Sequence, residues 1–474
     1  MEDLTQGSIR KHMNHLALPS ILGSLFTTLY NVVDTFWAGK VGLSSPQTFS
    51  ELFHYAGDVR ALTGMTVSFP IFLIMLSLSI GLLNGAIGLF GNAIGQKNNT
   101  LLHTYFAQSL IYALIVSLLL LLSLPLLPLF FSLMGAHDPV VLSYAHKYIS
   151  TIIAGSSLFT FTFVFSAALI ARGNTKTQRN ISIFNFFLNM ILDPLFLFGF
   201  GPIPAMGLRG IAIATLISQL LGLLVMYIKL RDYQAFSEIN CKLLAPKWPV
   251  LGLIARQSIP PTLNMAAVSF LLGLVNRYAN TYGGAPAVAA YGISLRIEQI
   301  ALIPSMGVGT ALTSIASQNN GAGKIDRMLS AYRIALLAGL VFLIGIMMPL
   351  GWFFSETIAG LFTQDPATIA IAKKYLGVCV LIFFAYMLIT FSGSIFQAAQ
   401  IPQVLSYLTI ARSCILPLLT FTLFPVTFGL GLDGLWLAIL FNNWLAGLIA
   451  CILCLRVLYK KLAQAQKIQT TQTT

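Results

Sequence analysis

About twelve apolar stretches, each long enough to cross a bilayer, divide this chain. No other feature restricts its fold as tightly. A bilayer core takes about 20 apolar residues per helix. Stretches of that kind run over 14–41, 58–96, 102–127, 140–171, 177–200, 208–231, 249–281, 287–318, 328–353, 367–398, 403–426 and 433–459. Several exceed a bare span, which points to tilt or to extension beyond the bilayer. Of 474 residues, 57% are hydrophobic and 9% charged, against roughly 25% charged in an ordinary soluble domain. A soluble globule of this size cannot hide so much apolar surface, and disorder needs the opposite composition. The fold class is therefore an all-α membrane protein with about twelve transmembrane helices and the lipid bilayer as its first partner.

The net charge of +13 is a sorting signal. Arg10 and Lys11, Lys97, Arg172 with Lys176 and Arg179, the group from Lys229 to Arg256, Lys324 with Arg327 and Arg333, and Arg456 to Lys467 occupy alternate connections. The intervening loops 42–57, 128–139, 282–286, 354–366 and 427–433 hold no Lys or Arg. By the positive-inside rule both termini are cytoplasmic, in the inner (plasma) membrane of a prokaryote. With basic residues spread between apolar runs rather than on one face, no nucleic-acid partner is expected. The polar start of the chain lacks a cleavage site, so the first span is expected to be retained. Five cysteines show no disulfide or zinc spacing.

The two halves read as copies. Gly81 and Gly95 recur as Gly309 and Gly323; Asp138-Pro139 with Lys147-Tyr148 recurs as Asp365-Pro366 with Lys374-Tyr375; Gly207-Leu208-x-Gly210 recurs as Gly431-Leu432-x-Gly434. Each copy has six spans, so the repeats share topology about an axis along the membrane normal. The expected organisation is a cytoplasmic segment 1–13, an N-lobe 14–231 (helices 1–6), a cytoplasmic linker 232–248, a C-lobe 249–460 (helices 7–12) and a disordered tail 461–474. Such a two-lobed chain is complete as a monomer, with a substrate cleft between its lobes.

Ionisable residues deep in a span are costly and are functional candidates by default. Three acids lie well inside apolar sequence: Asp34, Asp193 and Glu298. Tyr30 stands one turn before Asp34. Asn185, Asn189 and Asp193 form an i, i+4, i+8 stripe. Asp34 and Asp193 fall at similar depth in helices of the same direction, so they can share one site. Two carboxylates close together in low dielectric hold a proton or trade it for a cation. Oxygens of Tyr30, Asn189 and both acids suit Na⁺, and Pro194 frees a backbone carbonyl nearby. The alternative for each acid is a hydrogen bond to a neighbouring helix. Glu298 is either a second titrating group or the partner of Arg277 or Arg296. Asn185, Asn264, Asn276, Arg296, Glu298 and Gln397 are candidates for the cleft wall, with interhelical hydrogen bonding as the competing role. Pro19 removes a helical hydrogen bond before Asp34 and is a candidate hinge, or else a static kink. Gly321-Ala-Gly-Lys324 is not a P-loop, because Gln318 stands where its first glycine belongs and Ile325 follows the lysine. No catalytic motif appears, so neither an enzyme nor a cofactor is expected.

Several segments together resemble one family. Pro19-Ser-Ile-Leu-Gly with Tyr30-Asn-Val-Val-Asp34, Ala171-Arg-Gly-Asn-Thr, Asn189-Met-Ile-Leu-Asp193-Pro194 followed by Met206 to Ser218, and Ser317 to Lys324 look like multidrug and toxic compound extrusion (MATE) transporters. The resemblance implies an antiporter that exports organic, often cationic or amphipathic compounds in exchange for H⁺ or Na⁺, by alternating access of two lobes. It implies an N-lobe cation site at Asp34, Asn189 and Asp193, with Tyr30 and Thr215 at associated positions. One branch of the family uses acids on helices 7 and 10, and this chain has none there. The rivals are a flippase for a lipid-linked sugar precursor, which would want an Arg-rich cavity, and a gated channel.

Overall fold

The computed structural model describes residues 3–42, 57–133, 138–233 and 241–473. Most of the loop 42–57, part of the loop 128–139 and residues 234–240 of the expected linker lie outside the described residues. The N-lobe comprises α1 (Ile9–Ala38), α2 (Val59–Gly95), α3 (Asn99–Leu122), α4 (Pro139–Ala154 and Ser156–Ala171), α5 (Lys176–Phe198) and α6 (Leu208–Arg231). The two parts of α4 meet at 46° beside Gly155. The next helix is continuous in hydrogen bonding from Trp248 to Gly321, 74 residues, but Gly284 adopts φ 66°, ψ −161°. A straight helix of that length would be ~110 Å long, against a hydrocarbon core of ~30 Å. It folds back instead. Glycines of α2 face Ser258 and Ser317, far apart in sequence, at neighbouring turns. We therefore call 248–283 α7 and 285–321 α8. The C-lobe continues with α9 (Ile325–Phe353), α10 (Pro366–Ala398), α11 (Gln403–Thr427) and α12 (Gly431–Thr473). Twelve spans result.

The internal repeat has local causes. Asp138 and Asp365 are N-caps, accepting from Val140 N (2.8 Å) and Thr368 N (3.0 Å), with Pro139 and Pro366 at the first helical position. Gly207 and Gly431 start α6 and α12 with φ 57° and 53°, a region that a side chain strongly disfavours. Three residues on, Gly210 and Gly434 let those helices touch the backbone of Phe196 and Phe424.

The lobes meet at one end. A glycine face on α2 brings it against the C-lobe: Gly85 faces Ser258 of α7, Gly88 faces the Gln397 carbonyl of α10, and Gly91 faces Ser317 of α8. Asn92 donates to Ala398 O (2.8 Å) and accepts from Asn320 (2.5 Å). Ser314 and Gln318 donate to the carbonyls of Ile170 and Ala171 at 2.7 and 2.6 Å. The segment before α1 is strapped across the same end. Leu4 is fully buried. Arg327 donates to Gly7 O (2.9 Å), Gln6 O (3.1 Å) and Leu4 O (3.3 Å), and Lys324 to Thr5 O (2.9 Å). Lys461 of α12 reaches Asn320 at 2.9 Å. The first described residues and Lys461 of α12 therefore lie at this end, called the terminal side below.

One expectation needs correction. The tail expected to be disordered from 461 is helical to Thr473. No Gly or Pro interrupts it, and Leu462 and Ala465 pack on the α1–α8–α9 core. Pro19 lies inside α1, which is continuous from Ile9 to Ala38.

Candidate functional site

Within the N-lobe, α1, α5 and α6 bring Tyr30, Asp34, Asn189, Asp193 and Thr215 together. The α1–α5 contact is close because Gly23 lies against the Arg179 backbone, and Thr27 donates to Ser182 at 3.3 Å. On α5 the four-residue spacing turns Asn185, Asn189 and Asp193 to the buried side. Asp34 is 4% exposed, and Asn189 and Asp193 are fully buried.

The Asn189 amide donates to Asp193 Oδ1 (2.9 Å) and to Tyr30 Oη (3.3 Å). Thr215 Oγ1 is 3.5 Å from Asp34 Oδ2, but its single proton already has a shorter bond to Ile211 O (3.0 Å). The Asp34 and Asp193 carboxyls are near neighbours, each on the Asn189–Tyr30–Thr215 cluster. Asp34 Oδ1, Asp193 Oδ2 and Asn189 Oδ1 are buried without a partner. Leaving such acceptors unpaired is costly, so their convergence calls for a proton or a cation. Two carboxylate oxygens and one amide oxygen form a hard, all-oxygen donor set, which fits Na⁺. The same pair can share one proton instead.

The site opens on a cavity of about 290 Å³ in the N-lobe. Tyr30, Asp34 and Thr215 lie on its wall, opposite Phe69, Phe72 and Phe159 of α2 and α4. Tyr148 of α4 also lines it. Sequence reading passed over Tyr148, although its place in the internal repeat was the available signal.

The residues expected to line a cleft between lobes divide. Asn185 is buried below Asn189 with Oδ1 unpartnered. Asn264 is half-buried with Oδ1 unpartnered, while Asn276 and Arg296 are exposed. Gln397 is at the lobe interface, donating to Gln257 at 3.3 Å. None of these lines the N-lobe cavity. Glu298 is buried in the C-lobe, near Tyr386, Tyr375 and the Arg412 guanidinium. The expected partners were Arg277 and Arg296. Arg412 was overlooked because a lone arginine between apolar residues resembles the end of a span.

The MatE family profile matches residues 48–195 and 260–422, corresponding segments of the two halves. Among curated proteins, the chain is similar to the probable multidrug resistance protein NorM of Thermotoga maritima, 26% identical over 439 residues (91% of this chain, 89% of that protein). It is also similar to a FAD transporter of Shewanella oneidensis, 28% identical over 458 residues (94% of each). Among solved structures, a MOP superfamily transporter from Pyrococcus furiosus superposes with a TM-score of 0.85 at 23% identity, covering 97% of this chain and 98% of that one. A MATE structure titled as the bent conformation gives 0.86 over 98% of each, also at 23% identity. With the profile matching well over half the chain, two six-helix lobes and a full-length match to named transporters, this multi-pass membrane protein belongs to the MatE family.

Proposed function

We propose that this protein is a secondary antiporter that exports organic compounds in exchange for Na⁺ or H⁺, coupled at Asp34, Asn189 and Asp193. The observation that carries the reading is the set of three unpartnered oxygens converging inside the N-lobe. Asp34 also lies on the cavity wall, which gives the coupling a physical basis. A cation or proton at the acids and an organic molecule against Phe69, Phe72 and Phe159 would meet around the same Asp34 and Tyr30. Occupancy by one changes the field and shape felt by the other. The cavity pairs aromatic faces with phenol and threonine hydroxyls, which suits flat, amphipathic molecules. One relative is named a FAD transporter, so flavins belong in the first substrate panel beside organic cations.

The alternate-loop bias of Lys and Arg assigns the terminal side to the cytoplasm. With the lobes joined there, we read the geometry as an outward-facing state. Alternating access would require the strap at Leu4–Gly7 and the glycine face of α2 to part. Two solved structures of this fold are titled as straight and bent conformations, so the fold itself takes more than one shape. Pro19, without an amide donor, is where α1 has the least to lose.

The test is uptake of a fluorescent organic cation, and of a flavin, into proteoliposomes under an imposed Na⁺ or pH gradient, comparing wild type with Asp34→Asn. Drive by either gradient in wild type and none in the variant supports the reading. Equal transport by both proteins would refute it.

A further inference from the structure

The unpartnered oxygens do not stop at the acids. On α5, one turn below Asn189, Asn185 is 8% exposed and its Oδ1 has no partner. On the facing helix α6, Ser218 is fully buried and its Oγ has none either. The helices run antiparallel, so positions 215, 218 and 222 of α6 descend beside 189, 185 and 181 of α5. Gly222 fixes that register: a Cβ there would meet the Asn185 amide at 3.2 Å and Ile181 Cγ2 at 3.0 Å. Below, on the same face of α5, Ile181 is buried and apolar, and Gln178 Oε1 is again buried and unpartnered. The adjacent α1–α5 seam is closed at this depth by Gly23 against the Arg179 backbone and by the Thr27–Ser182 bond. The Arg179 guanidinium is turned aside onto Asn180 at 2.8 Å.

We propose that the α5–α6 seam is the route by which the coupling cation leaves the acid site for the terminal side, with Asn185 and Ser218 as stepping ligands and Ile181 as the plug. Neutral oxygens suit this task. They replace part of a cation's hydration shell without holding it as carboxylates do, so passage is favoured over storage. Gly222 lets α5 and α6 approach closely at Asn185 and Ile181, so the seam is closed at rest and Ile181 must move aside for the cation to pass. A sodium ion and a hydrated proton would use the same oxygens, so separate gradients must distinguish them. The inference rests on the antiport reading above.

The experiment begins with wild type in proteoliposomes, with substrate-coupled flux measured under a Na⁺ gradient and, separately, a pH gradient. Equilibrium Na⁺ and proton binding are measured on the same purified protein. A wild type that neither binds nor responds to either ion sinks the antiport reading before any variant is made. Given coupling, Asn185→Leu and Ser218→Val are expected to slow coupled flux about tenfold each, the loss of one oxygen ligand in a desolvated path, with equilibrium binding unchanged. Ile181→Thr, a gain that misfolding cannot imitate, is expected to raise ion flux in the absence of substrate. Wild-type flux in all three variants overturns the route. So does a loss of binding in Asn185→Leu that matches its loss of flux, because Asn185 would then belong to the acid site itself.

Discussion

The interiors of the two lobes occupy like positions in a repeated fold and hold opposite chemistry. In the N-lobe, Asp34 and Asp193 face each other with Asn189 between α1 and α6, and unpartnered oxygens remain. In the C-lobe, Arg412 stands five residues before Pro417 as Asn189 stands five before Pro194, and Tyr375 recurs where the N-lobe has Tyr148. There Glu298 is buried near Tyr375, Tyr386 and Arg412. Arg412 donates to Asn443 Oδ1 at 2.5 Å and lies over the Tyr386 ring at 5.4 Å. The C-lobe thus carries a positive charge on a buried side chain, whereas the polar neighbours of the N-lobe acids are Asn189, Thr215 and one another. One duplicated fold thus holds two acids and unpartnered oxygens on one side and an acid with a buried arginine on the other.

The largest expected effect contrasts the acids. Asp34→Asn should reduce gradient-driven uptake by about 100-fold or more, since removing a coupling charge leaves no cation-dependent step. Glu298→Gln should keep the same coupling ion and a similar ion-to-substrate ratio; loss of coupling in that variant would make the C-lobe exchangeable too. Next, Arg412→Met should destabilise the C-lobe by about 3–5 kcal/mol, because it leaves Glu298 buried without its cation. Thermal unfolding in detergent reads the loss, and the double variant with Glu298→Gln should recover most of it. Removal of Asn189 in the N-lobe has no such remedy, and Asn189→Leu should reduce equilibrium cation affinity instead, read by calorimetry. A smaller effect is expected where the lobes touch. Arg327→Ala frees the Leu4, Gln6 and Gly7 carbonyls and should speed amide hydrogen exchange over that strap by several-fold. The smallest tests likeness rather than difference. Asp138→Ala and Asp365→Ala remove matched N-caps and should lower the unfolding temperature slightly and equally.

Much of this was legible from residue order alone. Spans follow from apolar length, so the twelve segments and even the turn near Gly284 could be read directly. The Asp-Pro and Gly-Leu-x-Gly repeats were legible because caps and left-handed turns demand particular residues at particular places. Asp34 and Asp193 stood out because a carboxylate in hydrocarbon is too costly to be incidental. Tyr148 did not, since tyrosine in a span is ordinary. The helical tail was hidden because Gln- and Thr-rich sequence carries little periodic signal, while Lys461 and Leu462 find partners on α8 and α9 only after folding.

The sequence by itself determined a twelve-helix, two-copy membrane protein with an unequal pair of lobes, because bilayer thickness and burial cost act on each segment separately. Tertiary structure decided which side chains meet. It put Arg412 rather than Arg277 or Arg296 near Glu298, set a cavity beside Asp34 inside one lobe, and joined the lobes at the terminal side through Gly85, Gly88 and Gly91. Those outcomes depend on helix rotation and close approach across many residues of separation, which no local pattern encodes.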